Sequence, residues 1–167
     1  NLFDATDWIQ VNYNKGPWEI SAGKQVVAIG GYEYDTSPIN LFFCSEFWNN
    51  LPCFEFGISG AYTFADGKDK MTFQITESPF RRGSLNSADK ALLSYNLLWS
   101  GSYDWFSSLC SVNMMEYMPG KYINYIALGG LFEFGDLAVQ LDLTNRATSL
   151  ETLGLKDFTA MVDISWM

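Results

Sequence analysis

Apolar and polar residues alternate strictly along much of the chain. The clearest example is 53–64, where one set of alternate positions is mostly aromatic or aliphatic and the other is Glu, Ser, Thr or small. The same period of two recurs at 9–14, 71–76, 137–144 and 158–166, whereas apolar residues almost never repeat at the helical period of 3.6. A period of two predicts strands whose two faces differ in polarity.

The pattern predicts an all-β fold of about nine strands, and the links between the strands indicate their arrangement. The predicted strands are 7–15, 17–27, 53–64, 69–78, 91–101, 103–117, 121–135, 137–147 and 157–167. Short turns alternate with mostly long connections, of which the long ones lie at 28–52, 79–90 and 148–156. An antiparallel up-and-down sheet with its tight turns at one edge has this alternation, and so do transmembrane β-barrels.

Aromatic residues cluster beside the short turns, on the apolar face of the predicted strands. They are Tyr13, Trp18, Tyr62, Phe64, Trp99, Trp105, Phe132, Phe134 and Trp166. A belt of Trp, Tyr and Phe at one level is typical of the interface between membrane and water, whereas a soluble sandwich buries its large rings at mid-strand. We therefore expect these residues to lie at a membrane interface.

Composition fits the same interpretation. The chain is 48% apolar and 17% aromatic but only 17% charged, against about 25% charged residues in a typical soluble domain. The polar face carries mostly small and amide side chains, so we expect it to line a lumen, with these residues facing inward: Glu19, Glu55, Gln74, Asn96, Asn113, Asp142 and Asp163. The alternative is a soluble or surface all-β barrel whose apolar face encloses an apolar small ligand.

Charge and residue types argue against several other functions. The net charge of −9 disfavours binding of nucleic acid through its phosphates. Histidine is absent, which removes the usual general base of hydrolases and the commonest metal ligand, so we predict no enzyme, no metal site and no cofactor. Cys44 and Cys53 are spaced so that a disulfide is possible in an oxidising compartment, and whether they pair is left open.

Length bears on how much of a barrel the chain supplies. A porin of about 16 strands needs roughly twice 167 residues. We expect residues 1–167 to form a single, partial barrel domain supplying about nine strands of a barrel with roughly 16, although an intact eight-stranded barrel with an extra segment is also compatible with the sequence. The chain starts at Asn1 without a signal segment, which indicates a mature or internal piece.

The connection at 28–52 is too long for a simple link and is rich in aromatic residues. Loops of this length without structure of their own are usually functional or disordered, and the aromatic content argues against disorder. We expect the connection to fold into the lumen and narrow the pore.

At this connection the sequence resembles a known family. The residues are Ser21-Ala22-Gly23-Lys24-Gln25, Gly30-Gly31-Tyr32-Glu33-Tyr34-Asp35 and Phe47-Trp48-Asn49-Asn50, with support from 96–99, 111–114 and 122–129. They are similar to the outer-membrane porins of Bacteroidetes related to the phosphate-selective porins O and P. The resemblance implies a β-barrel in the bacterial outer membrane, in contact with lipid, forming a homotrimer and passing small solutes or ions by diffusion.

Charge placement argues against phosphate selectivity. An anion-selective pore needs cations along its lumen, whereas the charged residues on the polar face of this chain are mostly acidic, with Arg146 the clearest cation. We expect a general porin with weak cation preference. The candidate constriction residues are Glu33, Asp35 and Glu46 on one side, facing Arg146 or the pair Arg81 and Arg82. Lys24 has the parity of the apolar face, so it lies near a membrane surface or a bulge at Gly23 turns it inward.

Overall fold

The computed structural model describes residues 6–36, 45–82, 91–149 and 156–166. Within these ranges nine strands form one antiparallel sheet in up-and-down order, and the sheet is not closed. The strands are β1 (Ile9–Lys15), β2 (Trp18–Val26), β3 (Phe54–Thr63), β4 (Asp69–Glu77), β5 (Leu93–Ser102), β6 (Phe106–Met118), β7 (Lys121–Phe134), β8 (Leu137–Ala147) and β9 (Phe158–Trp166). The predicted all-β, up-and-down arrangement is confirmed, with strand ends within about three residues of those expected from the alternation.

The connections differ between the two edges of the sheet. At one edge β1 and β2, and also β7 and β8, are joined by two residues, with Gly16 and Gly135 in the left-handed region at φ 58° and 63°. Glycine adopts this conformation without steric cost, and such turns match the twist of a hairpin. The opposite edge carries the long connections. They include the short helices α1 (Tyr32–Asp35) and α2 (Glu46–Asn50) and a 3-10 helix (Pro79–Arg82).

The burial of the two faces of the sheet is the reverse of that in a soluble sheet: the apolar face is exposed and the polar face is buried. Large apolar side chains on one face are exposed, with Val11 at 76% and Val162 at 64%. On the other face polar side chains are buried, among them Gln74 at 2% and Asn113 at 0%. A soluble protein normally buries its apolar face and exposes its polar one. We call these two surfaces the apolar face and the polar face.

The buried apolar cluster lies on the polar face, where the connection between β2 and β3 packs against β6 and β7. Its members are Val27, Ile29, Tyr34, Leu51, Met115, Tyr125 and Ala127. The sheet is therefore held against its own connection rather than against a second sheet. Among the described residues, no helix has the length and apolar character needed to cross a membrane.

The structure excludes one of the two expectations for Lys24, the bulge at Gly23. The pairing of β2 with β3 is continuous through Gly23, so Lys24 keeps the parity of the apolar face and stands opposite Phe56. No bulge turns it inward. Its side chain is nevertheless buried, and its Nζ donates a hydrogen bond of 2.6 Å to the Thr6 carbonyl.

Candidate functional site

Residues 27–36, here called the crossing segment, leave the end of β2 and run obliquely over the polar face. The N–H of Ala28 bonds to Gln74 on β4, the N–H of Gly30 to Ser111 on β6, and the N–H of Tyr32 to Asp142 on β8. A backbone that lies across a sheet cannot join the ladder of hydrogen bonds between strands. Several of its N–H and C=O groups bond instead to polar side chains of the strands beneath, and the N–H of Gly31 bonds to the Leu109 carbonyl of β6.

A row of directly opposed polar side chains runs across β3–β6 beneath the segment: Ser59, Gln74, Asn96 and Asn113. Asn96 Nδ2 donates to Gln74 Oε1 at 3.2 Å, and Asn113 Nδ2 donates to Asn96 Oδ1 at 2.8 Å. Asn113 Nδ2 also donates to the Ala28 carbonyl at 2.8 Å. The amides are thus bonded both to one another and to the crossing segment.

The backbone of the crossing segment determines the orientation of the amides. Gln74 Oε1 accepts from the N–H of Ala28 at 2.7 Å, and Gln74 Nε2 donates to the Val26 carbonyl at 2.8 Å. Rotating this amide by 180° would set donor against donor and acceptor against acceptor. Because each amide orients the next, the network is fully specified only while the segment is in place.

Two glycines allow the segment to approach the sheet. A Cβ added at Gly30 would lie 2.7 Å from the Leu109 carbonyl oxygen and 2.7 Å from the Ser111 nitrogen. A Cβ at Gly129 on β7 would lie 2.9 Å from the Cα of Gly31. Backbone atoms cannot move aside as a flexible side chain can, so a larger residue at either position would lift the segment off the polar face.

Asp142 holds the start of α1. One of its carboxylate oxygens accepts from the N–H of Tyr32 at 2.7 Å and the other from the N–H of Glu33 at 2.9 Å. Gln140 Nε2 donates to the second oxygen at 2.8 Å. The first turn of a helix leaves its N–H groups without partners inside the helix, and a carboxylate compensates them.

Glu33 joins the crossing segment to α2. Its two carboxylate oxygens accept from the backbone N–H and the hydroxyl of Ser45, at 2.6 and 2.7 Å. The Ser45 hydroxyl in turn accepts from the N–H of Trp48 at 3.1 Å and so caps α2. Glu33 is buried. Its carboxylate is therefore used to hold the connection together.

Tyr34 packs the two halves of the connection against each other. Its ring lies 5.9 Å from that of Phe47 and 5.2 Å from that of Trp48, and its hydroxyl donates to the Pro52 carbonyl at 3.2 Å. Burial raises the pKa of Tyr34 far above its ordinary value, and burial also raises the pKa of Tyr32 to about 12. Both hydroxyls are therefore protonated at neutral pH.

The other candidate constriction residues lie in different surroundings. Asp35 is exposed and lines an open cavity of about 290 Å³ between the crossing segment and β1–β6. Arg146 faces a second cavity together with Phe47 of α2, and its guanidinium lies 3.6 Å from the Asp157 carboxylate. Arg81 forms an ion pair with Glu77. The side chains of Glu46 and Arg82 lie outside the described residues.

The side chains expected to face a lumen all have the parity of the polar face: Glu19, Glu55, Gln74, Asn96, Asn113, Asp142 and Asp163. Glu19 forms an ion pair with Lys70 at 2.7 Å, whereas Asp163 is exposed. Four members of the set contact the connection or its supporting network. The sequence pattern identifies the face, but not these contacts.

The aromatic residues at the short turns form contacts along one edge of the apolar face. The ring centroids of Trp18 and Tyr62 are 4.8 Å apart, and those of Tyr62 and Phe64 are 5.3 Å apart. A second group surrounds Trp105, with Phe132 at 6.2 Å and Phe134 at 6.1 Å. Trp99 Nε1 donates to Asp69 beside the turn at 3.0 Å. The edge thus consists of rings in contact with one another, and the Trp99 ring is also bonded to a polar group at the turn.

Several residues of the site are not evident from the sequence pattern. Ser111, Gly129 and Ser45 read as ordinary strand or loop residues, and their roles depend on partners that are distant in sequence. Cys44, considered as a partner for Cys53, lies outside the described residues, and Cys53 has a free thiol. No family model, curated protein or solved structure matches this chain.

Proposed function

We propose that this chain forms part of the wall of an outer-membrane porin, through which small hydrophilic solutes or ions diffuse. The observation that carries the proposal is the inverted burial of the sheet, whose exposed face is apolar and whose covered face is polar. Lipid-exposed strands of a membrane barrel must be apolar outside, while their lumen side is polar. The aromatic edge and the resemblance to Bacteroidetes porins support the same proposal.

The crossing segment and α2 are the proposed constriction. They lie over the polar face. Hydrogen bonds anchor the crossing segment to β4, β6 and β8, and Glu33 joins it to Ser45 at the start of α2. A segment held at so many points narrows the channel at a constant position. Deleting residues 32–46 should therefore raise single-channel conductance of the full-length protein, whereas an unchanged conductance would contradict a constriction at this segment.

Weak cation preference is the second part of the proposal. Lys70 and Arg146, on the polar face, lie beside the acidic partners Glu19 and Asp157. Asp35 and Asp163 are exposed. Cations should therefore be enriched near the wall, because the uncompensated charge there is negative. A reversal potential measured across planar bilayers under a KCl gradient should have the sign of K⁺ preference, and clear Cl⁻ preference would refute this part.

The membrane location has a separate test. The full-length protein should require detergent for extraction and should migrate differently on gels before and after heating, as a stable barrel does. The alternative function, a soluble all-β barrel around an apolar ligand, requires the apolar face to be enclosed. Solubility without detergent, together with binding of an apolar ligand, would favour that alternative.

A further inference from the structure

A large cavity lies over β7, β8 and β9 on the polar face, beside α2. Its volume is about 600 Å³, within the range of about 300–1,000 Å³ that is typical of sites for small molecules. Its lining residues are Phe47, Leu51, Phe80, Ile123, Tyr125, Thr144, Arg146, Asp157, Phe158 and Thr159. The cavity is thus built from strands, α2 and the 3-10 helix together.

One part of the lining is aromatic. The ring centroids of Phe47 on α2 and Tyr125 on β7 are 4.9 Å apart, and the planes of the two rings meet at 67°. Phe80 of the 3-10 helix also lines the cavity. Phe47, Phe80 and Tyr125 do not belong to the aromatic edge of the apolar face, so a contact with lipid does not explain them. Rings that line a cavity provide an apolar surface for the body of a solute.

The other part of the lining carries two opposite charges. Arg146 Nη2 and Asp157 Oδ2 are 3.6 Å apart, longer than a hydrogen bond, and the side chains are 55% and 61% exposed. The pair is therefore loose, and both groups keep hydrogen-bonding capacity for a solute. A guanidinium binds a carboxylate in a forked geometry, and a carboxylate accepts hydrogen bonds from an ammonium group.

We propose that this cavity binds a zwitterionic amino acid with an aromatic or large apolar side chain. Its carboxylate bonds to Arg146, its ammonium group bonds to Asp157, and its side chain packs against Phe47 and Phe80. A simple anion is repelled by the negative charge of Asp157, and a simple cation is repelled by the positive charge of Arg146. Only a solute with both charges compensates both groups. The inference rests on the proposed porin function, for which it names a class of solute.

Calorimetric titration of the full-length protein in detergent tests the charge requirement with three probes. They are L-phenylalanine, 3-phenylpropionate, which lacks the ammonium group, and phenethylamine, which lacks the carboxylate. We expect L-phenylalanine to bind about tenfold more tightly than either analogue, as expected for one charge-assisted hydrogen bond. Equal or tighter binding of an analogue, or no binding of L-phenylalanine at millimolar concentration, would overturn the proposal.

Matched variants test the residues. Arg146→Gln should weaken binding of L-phenylalanine about tenfold or more, whereas Lys15→Gln, with the same change in net charge on β1 and outside the cavity, should leave it unchanged. Asp157→Asn should raise affinity for 3-phenylpropionate relative to L-phenylalanine. Asparagine tolerates the φ of 55° at this position, so this variant keeps the fold. Equal effects of Arg146→Gln and Lys15→Gln, or no change in relative affinity for Asp157→Asn, would overturn the proposal.

Conductance separates this inference from the function on which it rests. A protein that conducts ions in bilayers but does not bind L-phenylalanine would refute the site alone. A protein that binds L-phenylalanine but forms no pore would refute the porin and leave a binding site on the sheet.

Discussion

The Asp142 carboxylate on β8 accepts a hydrogen bond of 2.7 Å from the backbone N–H of Tyr32, 110 positions earlier in the chain. This contact attaches the far end of the crossing segment to the sheet. A strand residue thus acts as the cap of a helix that belongs to a connection five strands earlier in the sheet. The contact makes the position of the segment sensitive to a single side chain.

Replacing Asp142 with Asn tests this attachment. The new amide presents an N–H to one of the two backbone donors, so one buried N–H is left without an acceptor. We expect a loss of about 1–3 kcal/mol in the stability of the attached segment, with increased single-channel conductance. Asp163→Asn is the control, because Asp163 lies on the same face and is exposed. Equal effects of the two substitutions would show that the loss of charge, rather than the cap, is responsible.

Gly30→Ala tests the close approach of the segment to β6. The added methyl group would meet the backbone of Leu109 and Ser111 at 2.7 Å, so the segment must lift and its bond to Ser111 must break. We expect faster proteolysis within the connection. Gly60→Ala in β3 has no atom within 4 Å of the new methyl group and should behave as the unsubstituted protein. Normal protease resistance of Gly30→Ala would contradict the close contact.

Substitution of the apolar face tests the membrane location. Val112 lies within β6 and is 48% exposed, and Phe134 lies beside a short turn and is 55% exposed. In a bilayer, Arg costs about 2–4 kcal/mol near the midplane and about 0–1 kcal/mol near the interface. Val112→Arg should therefore reduce the free energy of folding into lipid vesicles much more than Phe134→Arg. Similar losses for both variants would favour a water-exposed face.

Alkaline pH should weaken the packing of the connection through its buried tyrosines. Burial raises the pKa of Tyr32 to about 12 and raises that of Tyr34, whereas an unfolded tyrosine has a pKa of about 10. Their contribution to stability is fully present below pH 10 and is lost as the pH rises through the folded pKa, because the unfolded state releases its protons first.

Unfolding in urea between pH 8 and 11 measures this effect. Above pH 10 the free energy of unfolding should fall as the pH rises, because the unfolded state releases the tyrosine protons first. In the double variant Tyr32→Phe, Tyr34→Phe the remaining slope should be shallower, since phenylalanine does not ionise. An identical slope in the two proteins would contradict burial of these hydroxyls.

The strands and their two faces are largely predictable from the sequence. Each strand is a local pattern with a period of two, so the side on which Gln74 or Asp142 lies follows from counting residues. The short turns follow from local turn residues such as Gly16 and Gly135. Because neighbouring strands in an up-and-down sheet pair in sequence order, the topology also follows from the lengths of the connections.

The site itself depends on tertiary structure. That Gly30 meets β6, that Asp142 caps α1 and that α2 shares a cavity with Arg146 all involve partners far apart in the chain. Alternation predicts which face a side chain occupies, but it carries no information on where a long connection lies over that face. The path of the crossing segment is decided by the fit of its backbone donors and acceptors to the polar side chains below it, and this fit exists only after the sheet has formed.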